Sequence, residues 1–157
     1  MLATPNLAPQ LAELAVVSIN NAQHYSEAAR KTQTKKWTSA AFELHILNRE
    51  GYVFYVPNQH LGSDFEGMII TTEDDWLLWI DWILVRPSAR RRGVARALLR
   101  AAVGQAQALG RHKIWCESLT TNLHSLALLQ AEGFVRIAEL PNHWYKQDFC
   151  LLIKDLE

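Results

Sequence analysis

Between Trp76 and Val85 every residue except Asp81 is apolar. Side chains along a strand alternate between its faces. Trp76, Leu78, Ile80, Trp82 and Leu84 would then share one face, and Leu77, Trp79, Ile83 and Val85 the other. Both faces are apolar, so both need cover, and that places this segment at the centre of a sheet. The three tryptophans, not all on one face, are expected to fill the core. An acid alone in such a strand is costly unless it is paired or functional, which singles out Asp81.

The rest of the chain supplies the cover. Short β-branched and aromatic runs at Tyr52–Val56 and Phe65–Thr72 precede the central segment, with Glu73-Asp74-Asp75 as a polar turn into it. Further strands are predicted at Lys113–Ser118, Phe134–Glu139 and Phe149–Lys154. Helical spacing predicts a helix from Pro9 to about Arg30, a second from Thr38 or Ser39 to a stop at Gly51, and a third from Arg92 to Leu109. A short fourth, Leu123–Glu132, is capped by Asn122. Helices mixed with a mainly antiparallel sheet indicate the α/β (α+β) class, and residues 1–157 suit a single domain.

Bulk properties exclude several function classes. Formal net charge is zero, so no global field draws the chain to nucleic acid or to a membrane surface. No apolar run reaches the ~20 residues of a membrane span and no signal segment opens the chain, so a cytoplasmic location is expected. Cys116 and Cys150 have no metal or redox spacing and suit a reducing compartment as buried apolar groups. His24, His45, His60, His112 and His124 share no ligand spacing, so no metal is expected.

The charge is unevenly distributed. Arg86, Arg90, Arg91, Arg92, Arg96 and Arg100 crowd the stretch after the central strand, with no acid among them. A buried strand, a basic turn with one glycine and an amphipathic helix follow in immediate succession. A helix start has unpaired N–H groups and the positive end of its dipole, so it attracts phosphate. Gly93 would let the backbone approach a diphosphate, and the arginines would add forked donors. The plain alternative is a solvated basic face. Nucleic-acid binding is disfavoured, because the charges surround a helix start and no aromatics interleave with them.

Arg90-Arg91-Arg92-Gly93-Val94-Ala95 resembles the pyrophosphate loop of the GNAT superfamily of N-acetyltransferases. About 25 residues on, Asn122-Leu-His-Ser125 through Gly133-Phe134 resembles that family's second signature. The resemblance implies a GNAT-like splayed sheet in which Trp76–Val85 diverges from Lys113–Ser118. It implies acetyl-CoA as acyl donor, with its pyrophosphate on Arg90, Arg91, Arg92, Gly93, Val94 and Ala95 and with Asn122 in contact. The main chain of Leu84 and Val85 would pair with the pantetheine arm, and an N–H there would act as oxyanion donor. The implied activity is acetyl transfer to a primary amine by direct attack in a ternary complex. Peptide N-terminus, lysine, polyamine and antibiotic amine all remain open as acceptors, and a homodimer is compatible with the pattern.

Two departures stand out. The family usually opens with a strand, whereas this chain is expected to open with a helix. Leu129 occupies the position where a tyrosine often protonates the departing thiolate. A catalytically weak acyl-CoA-binding sensor or partner protein is therefore the alternative reading.

An attacking amine must lose a proton, so a carboxylate at the splay is the natural base. Glu117 is the first candidate, and it matches the glutamate assigned as base in N-terminal-alanine acetyltransferases of ribosomal proteins. Its plain alternative is a surface carboxylate paired with Lys113 or Arg111. Asp81 is the second, with a buried ion pair to one of the arginines as alternative. The resemblance implies that the loop His143-Trp144-Tyr145 shapes the acceptor side; Tyr145 is expected to serve core packing or substrate contact, with a stand-in for the absent acid as the alternative. Cys116 is read as core.

Overall fold

The computed structural model describes residues 1–58 and 64–156; His60 lies outside them. Six strands form one sheet in the order β1-β2-β3-β4-β6-β5. They are β1 (Gly51–Pro57), β2 (Phe65–Asp74), β3 (Leu77–Val85), β4 (Lys113–Leu119), β5 (Val135–Leu140) and β6 (Phe149–Asp155). Every neighbouring pair is antiparallel except β3 and β4. The parallel pair is joined by helix α4 (Val94–Ala108), as a crossover requires. Leu98, Leu99, Ala102 and Ala106 of α4 share one buried cluster with Leu78, Ile80, Ile114 and Cys116 of β3 and β4. The opposite face carries α1 (Ala8–Asn20), α2 (Glu27–Lys36) and α3 (Ser39–Leu47), with a second cluster around Leu11, Leu14, Phe42, Met68 and Leu84. Helix α5 (Leu123–Ala131) completes the elements that matter for function.

The central strand is where the sheet opens. Strand β3 pairs with β2 from Leu77 to Val85, but with β4 only from Leu77↔Lys113 to Ile80↔Cys116. Past Ile80 its β4-facing edge has no ladder partner, and the two strands part. At the same point the β2–β3 register shifts: Thr71 faces Ile80 and Ile70 faces Trp82, leaving Asp81 as the extra residue of a β-bulge. A bulge turns all later side chains over. Leu78, Ile80, Ile83 and Val85 therefore pack toward α4, while Trp82 and Leu84 pack toward α1–α3.

This corrects the uninterrupted alternation. Trp76 is not in the core at all; it lies in the turn before β3 and is 70% exposed. Trp79 pairs with Thr72 and is half-buried, like Trp82.

Other boundaries also moved. The long first helix is two helices, because Ser26 Oγ accepts the Ala29 N–H (3.2 Å) and starts α2 afresh. Residues His24 and Tyr25 are thereby placed in a loop. Gly51 is not a helix stop: α3 ends at Leu47, Arg49 takes the left-handed turn (φ 54°), and Gly51 opens β1 opposite Thr72. In α3, Leu44 and Leu47 are exposed, whereas Phe42 and His45 are buried. The chain does not open directly with a helix. Ala3 N–H donates to Val53 (2.8 Å) and Tyr55 N–H to Met1 (2.8 Å), so a bridge at Leu2 lies along β1 before α1 begins. Among the described residues no helix is long and apolar enough to cross a membrane, and no group of three metal-ligating side chains occurs.

Candidate functional site

The turn after β3 is built as an open cradle. Gly93 caps α4 with φ +83°, ψ 0°, a conformation that L-residues enter at a cost, and a Cβ there would meet no other atom within 4 Å. The first intrahelical bond is Ala97 N–H to Gly93 (3.0 Å), and no side chain caps the turn, so the leading N–H groups have no intrahelical partner among the described residues. Gly67 of β2 lets this helix start sit close to the sheet. A Cβ there would come within 2.8 Å of both Leu84 O and Val94 Cγ1.

Most of the arginine cluster is already engaged. Arg86 donates to Phe65 O (2.8 Å) and pairs with Asp64. Arg92 pairs with Glu66 (3.0 Å), and Arg96 (2.9 Å) and Arg100 (2.8 Å) converge on Glu132, tying α4 to the end of α5. Among the described residues Arg90 and Arg91 have no such partner. Both are exposed beside the open helix start.

Both candidate carboxylates stand where the sheet parts. Asp81 and Glu117 are the residues that immediately follow the last rung, Ile80↔Cys116. Asp81 accepts a hydrogen bond from Thr72 Oγ1 (2.7 Å) and pairs with none of the arginines. Burial pushes its carboxyl above the ordinary range, against the opposing pull of Thr72 and of the nearby Lys36 and His45 charges. A folded-state value above the unfolded one means that the charged carboxylate costs stability at higher pH. Asp81→Asn is therefore expected to raise the melting temperature near neutral pH. The gain should fade as pH falls through the folded value and vanish below the ~3.9 of an unfolded aspartate. A lower melting temperature for the variant at neutral pH would overturn this account.

Glu117 is roofed by two loops. Trp144 Nε1–H donates to its Oε2 (2.6 Å), and His143 Nε2 lies 3.4 Å from its Oε1. Lys113 is paired with Asp155 (3.3 Å) and Arg111 with Glu73, so neither neutralises Glu117. Tyr25, from the α1–α2 loop, sits near enough that the Glu117 charge adds to burial in pushing its phenol up to about 12. The Tyr25 ring lies 5.0 Å from Trp82 and 6.3 Å from Phe149, and His143 lies 6.0 Å from Phe149. The sequence pointed to the His143–Tyr145 loop but missed Tyr25, which no spacing links to β4.

The Acetyltransferase (GNAT) family model matches residues 18–134. The chain belongs to the GNAT acetyltransferase family. No curated protein sequence matches the chain. In fold it is similar to yncA from Salmonella typhimurium, a structure holding acetyl-CoA as its cofactor (16% identity, TM-score 0.78, 100% of this chain and 92% of that one covered). It is also similar to an N-acetyltransferase from Staphylococcus aureus Mu50 (22% identity, TM-score 0.76, covering 100% and 97%). A third is the ribosomal-protein-S18-alanine N-acetyltransferase from Escherichia coli (20% identity, TM-score 0.64, covering 77% and 78%).

Against the GNAT pattern the remaining residues fall as follows. Asn122 Oδ1 accepts the Ser125 N–H (3.2 Å) as cap of α5, so its carbonyl is spent locally and only its amide nitrogen is available. Leu129 is 2% exposed, within the cluster that holds Cys116 and Phe134. Tyr145 gives its hydroxyl to Gln33, whose Nε2 donates to it at 3.2 Å. Cys116 is buried, which pushes its thiol up to about 12 and makes it a poor nucleophile.

Proposed function

We propose that this GNAT protein transfers an acetyl group from acetyl-CoA to a primary amine by direct attack in a ternary complex, with Glu117 as general base. The observation that carries the reading is the coincidence, at one end of β3, of an open basic helix start with a strand splay that has Glu117 at its mouth.

The residues present suit the donor. Arg90, Arg91 and the first N–H groups of α4 at Gly93, Val94 and Ala95 would hold the diphosphate, with Arg92 at hand beside Glu66 and the Asn122 amide nearby. The β4-facing main-chain edge of β3 at Leu84 and Val85, past the last β4 rung, would align the pantetheine arm and offer an N–H to the thioester oxygen. Acetyl-CoA supplies the activated acyl group.

At the other mouth Glu117 takes a proton from the incoming amine as its nitrogen bonds to the thioester carbonyl carbon. The C–S bond then breaks, and amide and CoA thiol leave, the thiolate recovering a proton. With Leu129 in the core, thiolate departure relies on its own ease: a thiol pKa near ~8.5 makes it a fair leaving group. Asp81 is the second candidate for the base.

Thiol release from acetyl-CoA over a panel of primary amines tests the reading, with thermal shift alongside. CoA at ~100 times its dissociation constant should add about 2.7 kcal/mol to stability. CoA stabilisation without thiol release from any amine would favour the acyl-CoA sensor. Absence of both would sink the reading.

A further inference from the structure

The roof over Glu117 is held shut by its own side chains. Gln147 accepts the Ser26 N–H (2.8 Å) and donates from Nε2 to the His24 carbonyl (2.9 Å), joining the β5–β6 loop to the α1–α2 loop. Gln33 of α2 adds a second tie, donating to Tyr145 Oη of the β5–β6 loop (3.2 Å) and accepting from Trp82 Nε1–H of β3 (3.3 Å). Around Glu117 stand aromatic side chains: Trp144 donates to it through Nε1–H, His143 Nε2 lies 3.4 Å away, and Tyr25, within reach of its charge, packs on Trp82 and Phe149.

We infer that the acceptor is a small primary amine with one charge and a flat apolar body, of the arylalkylamine class, and not a polypeptide end or a protein lysine. The inference rests on reading Glu117 as the acceptor-side base. An extended polypeptide entering between the two loops would have to break both glutamine ties. It would also bury peptide N–H and C=O groups against rings that offer them few partners. A flat apolar body finds in the same walls the offset and edge contacts that rings prefer. An ammonium is matched by the Glu117 carboxylate. A second positive charge is less well matched, because the field of Lys36 already reaches Asp81, the other carboxylate at the splay.

The test is calorimetric titration of the full chain, saturated with CoA, using phenethylamine, spermidine and an alanine-initiated hexapeptide, so that binding is read without turnover. Phenethylamine is expected to bind at least about tenfold more tightly than either competitor. Tyr25→Ala, which opens the wall, should lose about tenfold in phenethylamine affinity, and Tyr25→Phe, which keeps the ring, should retain it. Gln147→Ala should leave CoA affinity unchanged and improve hexapeptide binding. Equal or tighter binding of the hexapeptide or spermidine overturns the inference, as does CoA binding with no uptake of phenethylamine. Phenethylamine binding without thiol release from acetyl-CoA upholds this inference and overturns the transferase reading instead.

Discussion

Glu117→Gln is expected to lower kcat by ~10²–10⁴-fold, the usual cost of losing a positioned general base, while CoA affinity stays unchanged. Glutamine keeps the length and planarity of the side chain and still accepts the Trp144 N–H, so the roof should remain in place. What it lacks is basicity. The measurement is kcat from thiol release, paired with CoA calorimetry and a melting curve to show that the fold is intact. Asp81→Asn is the companion variant. Because Thr72 occupies Asp81 and an asparagine oxygen can take over that bond, its kcat should fall less than about tenfold. A larger loss at Asp81 than at Glu117 would move the base to the bulge. If neither variant loses tenfold, the amine reaches the thioester already deprotonated, and the assignment fails.

Gly93→Asp is expected to weaken CoA binding at least ~10²-fold. Two unit charges 4 Å apart interact by about 4 kcal/mol at an effective dielectric near 20, and a diphosphate brings more than one. The carboxylate would also be free to turn inward and cap the first N–H groups of α4, competing with the ligand for the same donors. Gly93→Ala separates charge from backbone. It carries the strain of φ +83°, about 1–2 kcal/mol, into an otherwise open position, so affinity should fall far less while stability drops. Calorimetry with CoA reads both variants. Unchanged affinity in a folded Gly93→Asp protein would place the diphosphate elsewhere.

How legible each feature was follows from how local it is. The basic turn and the helix behind it were visible because strand end, glycine and amphipathic repeat are contiguous in the chain. The family resemblance rested on those same residues. Glu117 and Asp81 were found as chemistry, but nothing in the sequence put them at corresponding places after one shared rung. That depends on how far β3 and β4 stay paired. The arginines looked equivalent in sequence, yet Glu66, Asp64 and Glu132 claim four of the six from distant elements. Asn122 was read as a cofactor contact and a cap, and the structure shows the cap. The break between α1 and α2 is marked by Ser26, a residue that starts helices by satisfying their first donors, and by the end of the apolar repeat near Ala22.

By itself, then, the sequence determined that a two-sided apolar strand would lie at the centre of a sheet and that a basic, glycine-bearing turn and a helix start would follow it, and it named the acids that are candidates for the base. These are properties of neighbouring residues, and short-range backbone preferences suffice to specify them. Only the tertiary structure decided that β3 carries a bulge at Asp81, which turns Trp82 and Leu84 toward α1–α3. It likewise decided that Tyr25 comes to rest beside Glu117 and that Gln147 closes the loops over it. A bulge exists only relative to the partner strand, and the contacts of Tyr25 and Gln147 join residues about ninety to one hundred and twenty positions apart. Their physical cause is the packing of the two faces of the sheet against different helices, which no local pattern encodes.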